Sequence, residues 1–169
     1  MKLMALLLTA TLLMPAGPAL TRDLSANEVL AHIRKVGERR ALADYFESHD
    51  WSNLTRGIGS GEPEWLGVYQ ALRPVSDGES GEDLGEAIFD ALPKYPFRVL
   101  PILEVETHVT VQELCTFSFE SKYPDDGVES YLTRLDGALA LAAGENERRM
   151  ASQCRLGIQA TKESIKHGS

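Results

Sequence analysis

WSNLTRGIGSGEPEWLGVYQALRPVSDGESGEDLGEAIFDALPKYPFRVLPIL, residues 51–103, is the stretch whose punctuation decides the fold. It holds both tryptophans, Trp51 and Trp65, with five prolines and seven glycines. Those breakers separate apolar residues at helical spacing: Trp51, Leu54 and Ile58, then Trp65, Leu66, Tyr69 and Leu72, then Leu84, Ala87, Ile88, Ala91 and Leu92. The pattern spells helix, turn, helix, turn, helix. Pro63 fits a first helical position, where its missing N–H is no loss, and Arg73-Pro74 and Pro93 close the second and third segments. Ser76 to Gly81 reads as a polar turn before a helix opening at Glu82. Pro96 could open a fourth helix through Phe97, Leu100 and Leu103, with Pro101 making it short or kinked.

Working outward toward the N-terminus, Ser25 and Glu28 form a capping box and Leu24 and Val29 a hydrophobic staple. The helix they start buries Val29, Leu30, Ile33 and Val36 and stops at Gly37. A second helix follows from about Glu38 to Ser48 with Leu42, Tyr45 and Phe46 inward. Beyond residue 103, Val105, Thr107 and Val109 alternate with Glu104, Glu106 and His108, the one arguable strand. Thr110 and Glu113 form a second capping box for a short helix, and Phe117, Phe119 and Tyr123 an aromatic connector. Two longer helices finish the chain, one with Val128, Tyr131, Leu132, Leu135, Leu139 and Ala142 on its apolar stripe, the other with Met150, Cys154, Ile158, Thr161 and Ile165. The fold class is all-α: an irregular multi-helix bundle or antiparallel helix pairs, with at most one short strand. The pair 63–73 with 82–92 resembles a HEAT-like unit, but no second copy follows at a fixed period, so no solenoid is predicted.

The first residues give an address. Lys2, an apolar run from Leu3 to Met14 and the small-residue exit Pro15-Ala16-Gly17-Pro18-Ala19 are the three parts of a secretory signal peptide. Residues 1–19 are expected to be removed, leaving 20–169 as a single exported helical domain, periplasmic or secreted. Pro15, Gly17 and Pro18 cut the apolar run short of the roughly 20 residues a membrane span needs, so no stable insertion is expected after cleavage. In an oxidising compartment Cys115 and Cys154 are expected to form a disulfide.

The formal charge of −8 disfavours nucleic acid, which is held mainly by clustered Lys and Arg, and favours a cationic protein partner. The chemical motifs fail on spacing. Gly57-Ile58-Gly59-Ser60-Gly61 has its third glycine at the wrong place for a dinucleotide loop and lacks a preceding strand. Asp77, Glu79, Glu82, Asp83 and Glu86 do not supply the alternate ligands of a calcium loop; Glu82 and Asp83 are better placed to offset a helix dipole. Glu104, Glu106 and His108 would share one face only if extended, a thin ligand set, so no metal or cofactor is expected. Asn53-Leu54-Thr55 matches a glycosylation sequon that matters only in a eukaryotic source. Glu47-Ser48 and Glu120-Ser121 resemble the Glu-Ser pair of some lytic transglycosylases, without the rest of that motif.

The functional expectation is therefore a non-enzymatic exported protein that binds another protein, of inhibitor or immunity type, with Trp51, Trp65 and Tyr69 as anchors wherever they are exposed. The alternatives are a peptidoglycan hydrolase using Glu47, Glu104 or Glu120 as its acid, and a structural envelope scaffold.

Overall fold

A computed structural model describes residues 24–118, 124 and 126–167; the signal-like segment, Phe119, Glu120, Ser121 and Tyr123 lie outside the described residues. Nine α-helices and no strand occur among the described residues: α1 Ala26–Val36, α2 Glu38–Phe46, α3 Trp51–Gly59, α4 Pro63–Leu72, α5 Gly78–Ala91, α6 Pro96–Thr107, α7 Val111–Leu114, α8 Val128–Leu139 and α9 Glu145–His167. A short 3-10 turn, Arg73–Val75, follows α4. The all-α class read from the apolar periodicity is the observed one.

Local signals place the first elements. Both halves of the Ser25/Glu28 capping box are made, and Gly37 at φ 85° turns α1 into α2 in a conformation that costs other residues energy. The Thr110/Glu113 box opens α7 in the same way. Two expectations at element ends are corrected. Helix α5 begins at Gly78 rather than Glu82, because the Asp77 carbonyl already accepts from Gly81 N at 3.1 Å and from the buried Ser80 hydroxyl at 2.8 Å. Glu79 therefore occupies the first turn, and Glu82 and Asp83 lie further in. The arguable strand at 104–109 is not formed, and residues 104–107 continue a helix instead. Helix α6 passes through Pro101 as one continuous element to Thr107; the His108 N–H makes the last helical bond, to Glu104 O at 3.1 Å, and the left-handed φ of 58° at His108 then turns the chain out of the helix. The lost Pro101 N–H costs the ladder one bond, which burial of Val99, Leu100 and Leu103 offsets.

The buried apolar residues from Ala26 to Ile158 form one cluster. Packing within it departs from the sequence order of the helices. Helix α5 lies chiefly on α3, and α4 chiefly on α1, so the predicted 63–73/82–92 pair is the lesser contact of each helix. The C-terminal half is built on α9, which holds α7 along one face and α8 along another. No helix among the described residues is long and apolar enough to cross a membrane.

Candidate partner-contact surfaces

Trp51, Trp65 and Tyr69 are all engaged within the protein. Tyr69 is 1% exposed, and its hydroxyl donates to Glu106 Oε2 at 2.6 Å, joining α4 to the last turn of α6. Burial, and then the Glu106 carboxylate, push its phenol well above the ordinary range. Arg73 completes the cluster: its Nε lies 2.9 Å from Glu106 Oε1 but off the line of the N–H, so the contact is ionic without a directed hydrogen bond. The exposure that would make Tyr69 an anchor is absent.

Trp51 is half-buried, with Nε1 donating to Asp83 Oδ2 at 2.7 Å across the α3–α5 contact and its ring edge-to-face with Phe46. Half-buried Trp65 lies over Gly57, where a Cβ would come within 2.4 Å of the indole. Gly57 is therefore a packing glycine rather than part of a phosphate loop. Ser60, within the same motif, donates to Gly57 O at 2.6 Å, and Lys94 Nζ donates to Gly59 O. The first bond closes the C-terminus of α3 on itself, and the second joins α3 to the segment after α5.

The other candidates are dispersed. Glu47 is exposed at the end of α2; Glu104 is half-buried near the end of α6, and His108 is the exposed cap residue. Glu106 from that trio is committed to Tyr69 and Arg73. No group of three His, Cys, Asp or Glu among the described residues is disposed to hold a metal ion. Asn53 sits inside α3, accepting from Arg56 Nη1 at 3.0 Å.

Cys115 and Cys154 are joined by a disulfide with Cα atoms 5.0 Å apart, and both are fully buried. The disulfide ties the end of α7 to the middle of α9. Gly157, one turn on, lets α9 press against α7: a Cβ there would meet Gln112 O at 2.3 Å and the Cys115 carbonyl carbon at 2.7 Å. Thr161, a turn further, accepts the Phe117 N–H at 2.8 Å and donates to Gly157 O at 3.1 Å. Cys154, Gly157 and Thr161 thus form a seam that fixes the azimuth of α9.

That azimuth turns another face of α9 toward the end of α8. An open groove of about 530 Å³ runs there, lined by Leu139, Ala140, Ala142, Ala151, Leu156 and the guanidinium-bearing Arg148 and Arg155, with Ser152 and Gln159 at its polar edge. Leu156 is 52% exposed, and Leu141, between two lining alanines, is 78% exposed. Arg155 Nε donates to Asp136 Oδ1 at 2.7 Å. Arg148 Nη1 donates to the Ala143 carbonyl, while Glu147 accepts the Ala143 N–H at 2.8 Å, so the α8–α9 turn is tied down. Sequence reasoning missed this groove. Leu156 falls off the apolar stripe of α9 and Leu141 lies past the end of α8, in the turn, which was the available signal.

No family model, curated protein or solved structure matches this chain.

Proposed function

We propose that this protein is a non-enzymatic exported protein, periplasmic or secreted, that works by binding another protein, in the manner of an inhibitor or immunity protein. The observation that carries the reading is the α8–α9 groove, where the lining residue Leu156 stands in solvent over a concave apolar floor and Leu141, in the turn after α8, is exposed between the lining Ala140 and Ala142. Contiguous exposed apolar surface of this kind marks interaction sites more often than isolated surface leucines do. The signal-like first 19 residues and the buried cysteine pair support an exported, oxidising compartment. Relative to the sequence reading, the contact moves from the tryptophan segment to the C-terminal hairpin, because Trp51, Trp65 and Tyr69 are spent on interhelical packing.

Site-directed photo-crosslinking in an envelope extract tests the reading. A photoreactive residue at Leu156 or Leu141 is expected to give an adduct of one discrete mass, and the same residue at exposed Arg39 on α2 to give none. Absence of a discrete adduct from both Leu156 and Leu141, or equal adducts from all three positions, would overturn it.

A further inference from the structure

We propose that the α8–α9 groove receives an acidic, apolar segment of the partner protein; the proposal rests on the protein-binding reading above and adds the chemistry of what is bound. The groove lining contains two guanidinium groups, of which Arg155 is ion-paired with the Asp136 carboxylate and Arg148 is not paired among the described residues, in a chain of formal charge −8. Arg148 is exposed, bonded only to the neutral Ala143 carbonyl, and forms no ion pair among the described residues. Its charge is therefore without a carboxylate partner among the described residues. Arg155 gives Nε to the Asp136 carboxylate and Nη2 to the Asp136 carbonyl at 3.4 Å, which orients the guanidinium along the groove edge. Held in this way, Arg155 offers its remaining N–H donors to a carboxylate with less side-chain freedom to lose, while the net attraction comes from Arg148.

The floor between the cations is apolar. Leu139 is fully buried and Ala151 nearly so, while Leu156 leaves most of one face to solvent. At about 530 Å³ the groove falls in the size range of small-ligand sites, enough for one or two large side chains rather than a folded surface. Leucine-like side chains next to carboxylates match both properties. The overall acidity, which at sequence level suggests a cationic partner, works against this segment at long range and falls off beyond a Debye length of about 8 Å at physiological salt. The local cations then decide which segment seats. A partner presenting such a segment on a neutral or basic body satisfies both scales of charge.

Amide-resolved NMR titration of the oxidised protein separates the outcomes, using two five-residue blocked peptides, one of glutamate and leucine and one of lysine and leucine. The glutamate peptide is expected to shift amides of residues 139–142 and 148–159 and to bind about tenfold tighter than the lysine peptide, the scale of one exposed charge pair with Arg148 going from attraction to repulsion. The preference should narrow as salt rises and reverse in the Arg148→Glu/Arg155→Glu double variant. Arg148→Ala, which leaves the Asp136 contact intact, should lower the glutamate peptide's affinity by about threefold. Leu156→Ser should weaken both peptides alike. Equal binding of the two peptides, shifts mapping elsewhere, or no shift at millimolar peptide would each overturn the proposal. Concentration-dependent shifts of the groove amides without peptide would overturn it in favour of a second copy of this chain. A discrete crosslink at Leu156 combined with no charge preference would leave the protein-binding reading standing and remove only the acidic segment.

Discussion

A Cβ added at Gly157 would sit inside the van der Waals envelope of α7's backbone, and backbone cannot step aside as a side chain can. Gly157→Ala gains the intrinsic helix preference of alanine, about 1 kcal/mol, against an overpacking cost of about 3 kcal/mol or more. A net loss of about 2 kcal/mol in urea denaturation is expected. Gly137→Ala on α8 meets nothing within 4 Å, so the same exchange there should raise stability by about 0.5–1 kcal/mol. At Thr161 the decisive group is the Phe117 N–H that it accepts in a buried setting. Thr161→Val keeps the shape and leaves that donor unsatisfied, a loss of about 1–3 kcal/mol that Thr161→Ser should largely restore. Residues whose role depends on neighbours in sequence were readable in advance, as with Ser25 and Glu28. Tyr69 was readable only in part: its spacing gives the face it occupies, but nothing local announces a hydroxyl partner at Glu106, 37 residues away.

Among the elements, α6 shows where period alone misleads. Val105, Thr107 and Val109 alternate like a strand, yet Val105 is largely exposed and the helix that starts at Pro96 carries through. Glu106 helps hold that last turn, since from it the carboxylate reaches both Tyr69 and Arg73. The start of α5 was hidden for a different reason, since Gly78, Ser80 and Gly81 are turn residues by propensity and are drawn into the helix by the Asp77 carbonyl. Titration tests these junctions from both sides. Backbone and hydroxyl donors of Thr110 hold the Glu113 carboxyl below its ordinary value of 4.5. That capping contribution is present above about pH 4.5 and is lost as pH falls below it, so Glu113→Gln should flatten the acid limb of a Tm profile. Tyr69 and Tyr131 are displaced in the other direction from 10.0, chiefly by burial. Stability that depends on their protons is complete below pH 10 and declines above it. Tyrosinate absorbance of these two groups should therefore rise together with alkaline unfolding, and Tyr131→Phe should reduce the burst while forfeiting the 2.9 Å bond to Phe89 O.

At the scale of the molecule, apolar period and breakers are enough to tell helices from strands, but they carry no information about which helix lies on which. The pairing of α5 with α3 depends on tertiary fits such as the Asp83–Trp51 bond and the close approach at Gly59, formed between segments some 30 residues apart. The groove was illegible for the same reason, being made when α9 is rotated against α7 and α8 together. The Cys115–Cys154 link sets that rotation in common with Gly157 and Thr161. Closing a sequence separation of 39 removes unfolded-state entropy worth at most about 4 kcal/mol. Cys115→Ala/Cys154→Ala is expected to lower the urea-derived stability by about 2–4 kcal/mol and to leave the helical circular dichroism unchanged, because the Gly157 contact and the Thr161 bond remain. Both sulfurs are fully buried, so a thiolate reductant reaches them only when α7 separates from α9. Dithiothreitol should leave the native protein oxidised over hours and reduce it promptly above the urea midpoint. Rapid reduction without denaturant, followed by loss of the Leu156 crosslink, would instead show that α7 opens locally and that the groove depends on the disulfide for its shape.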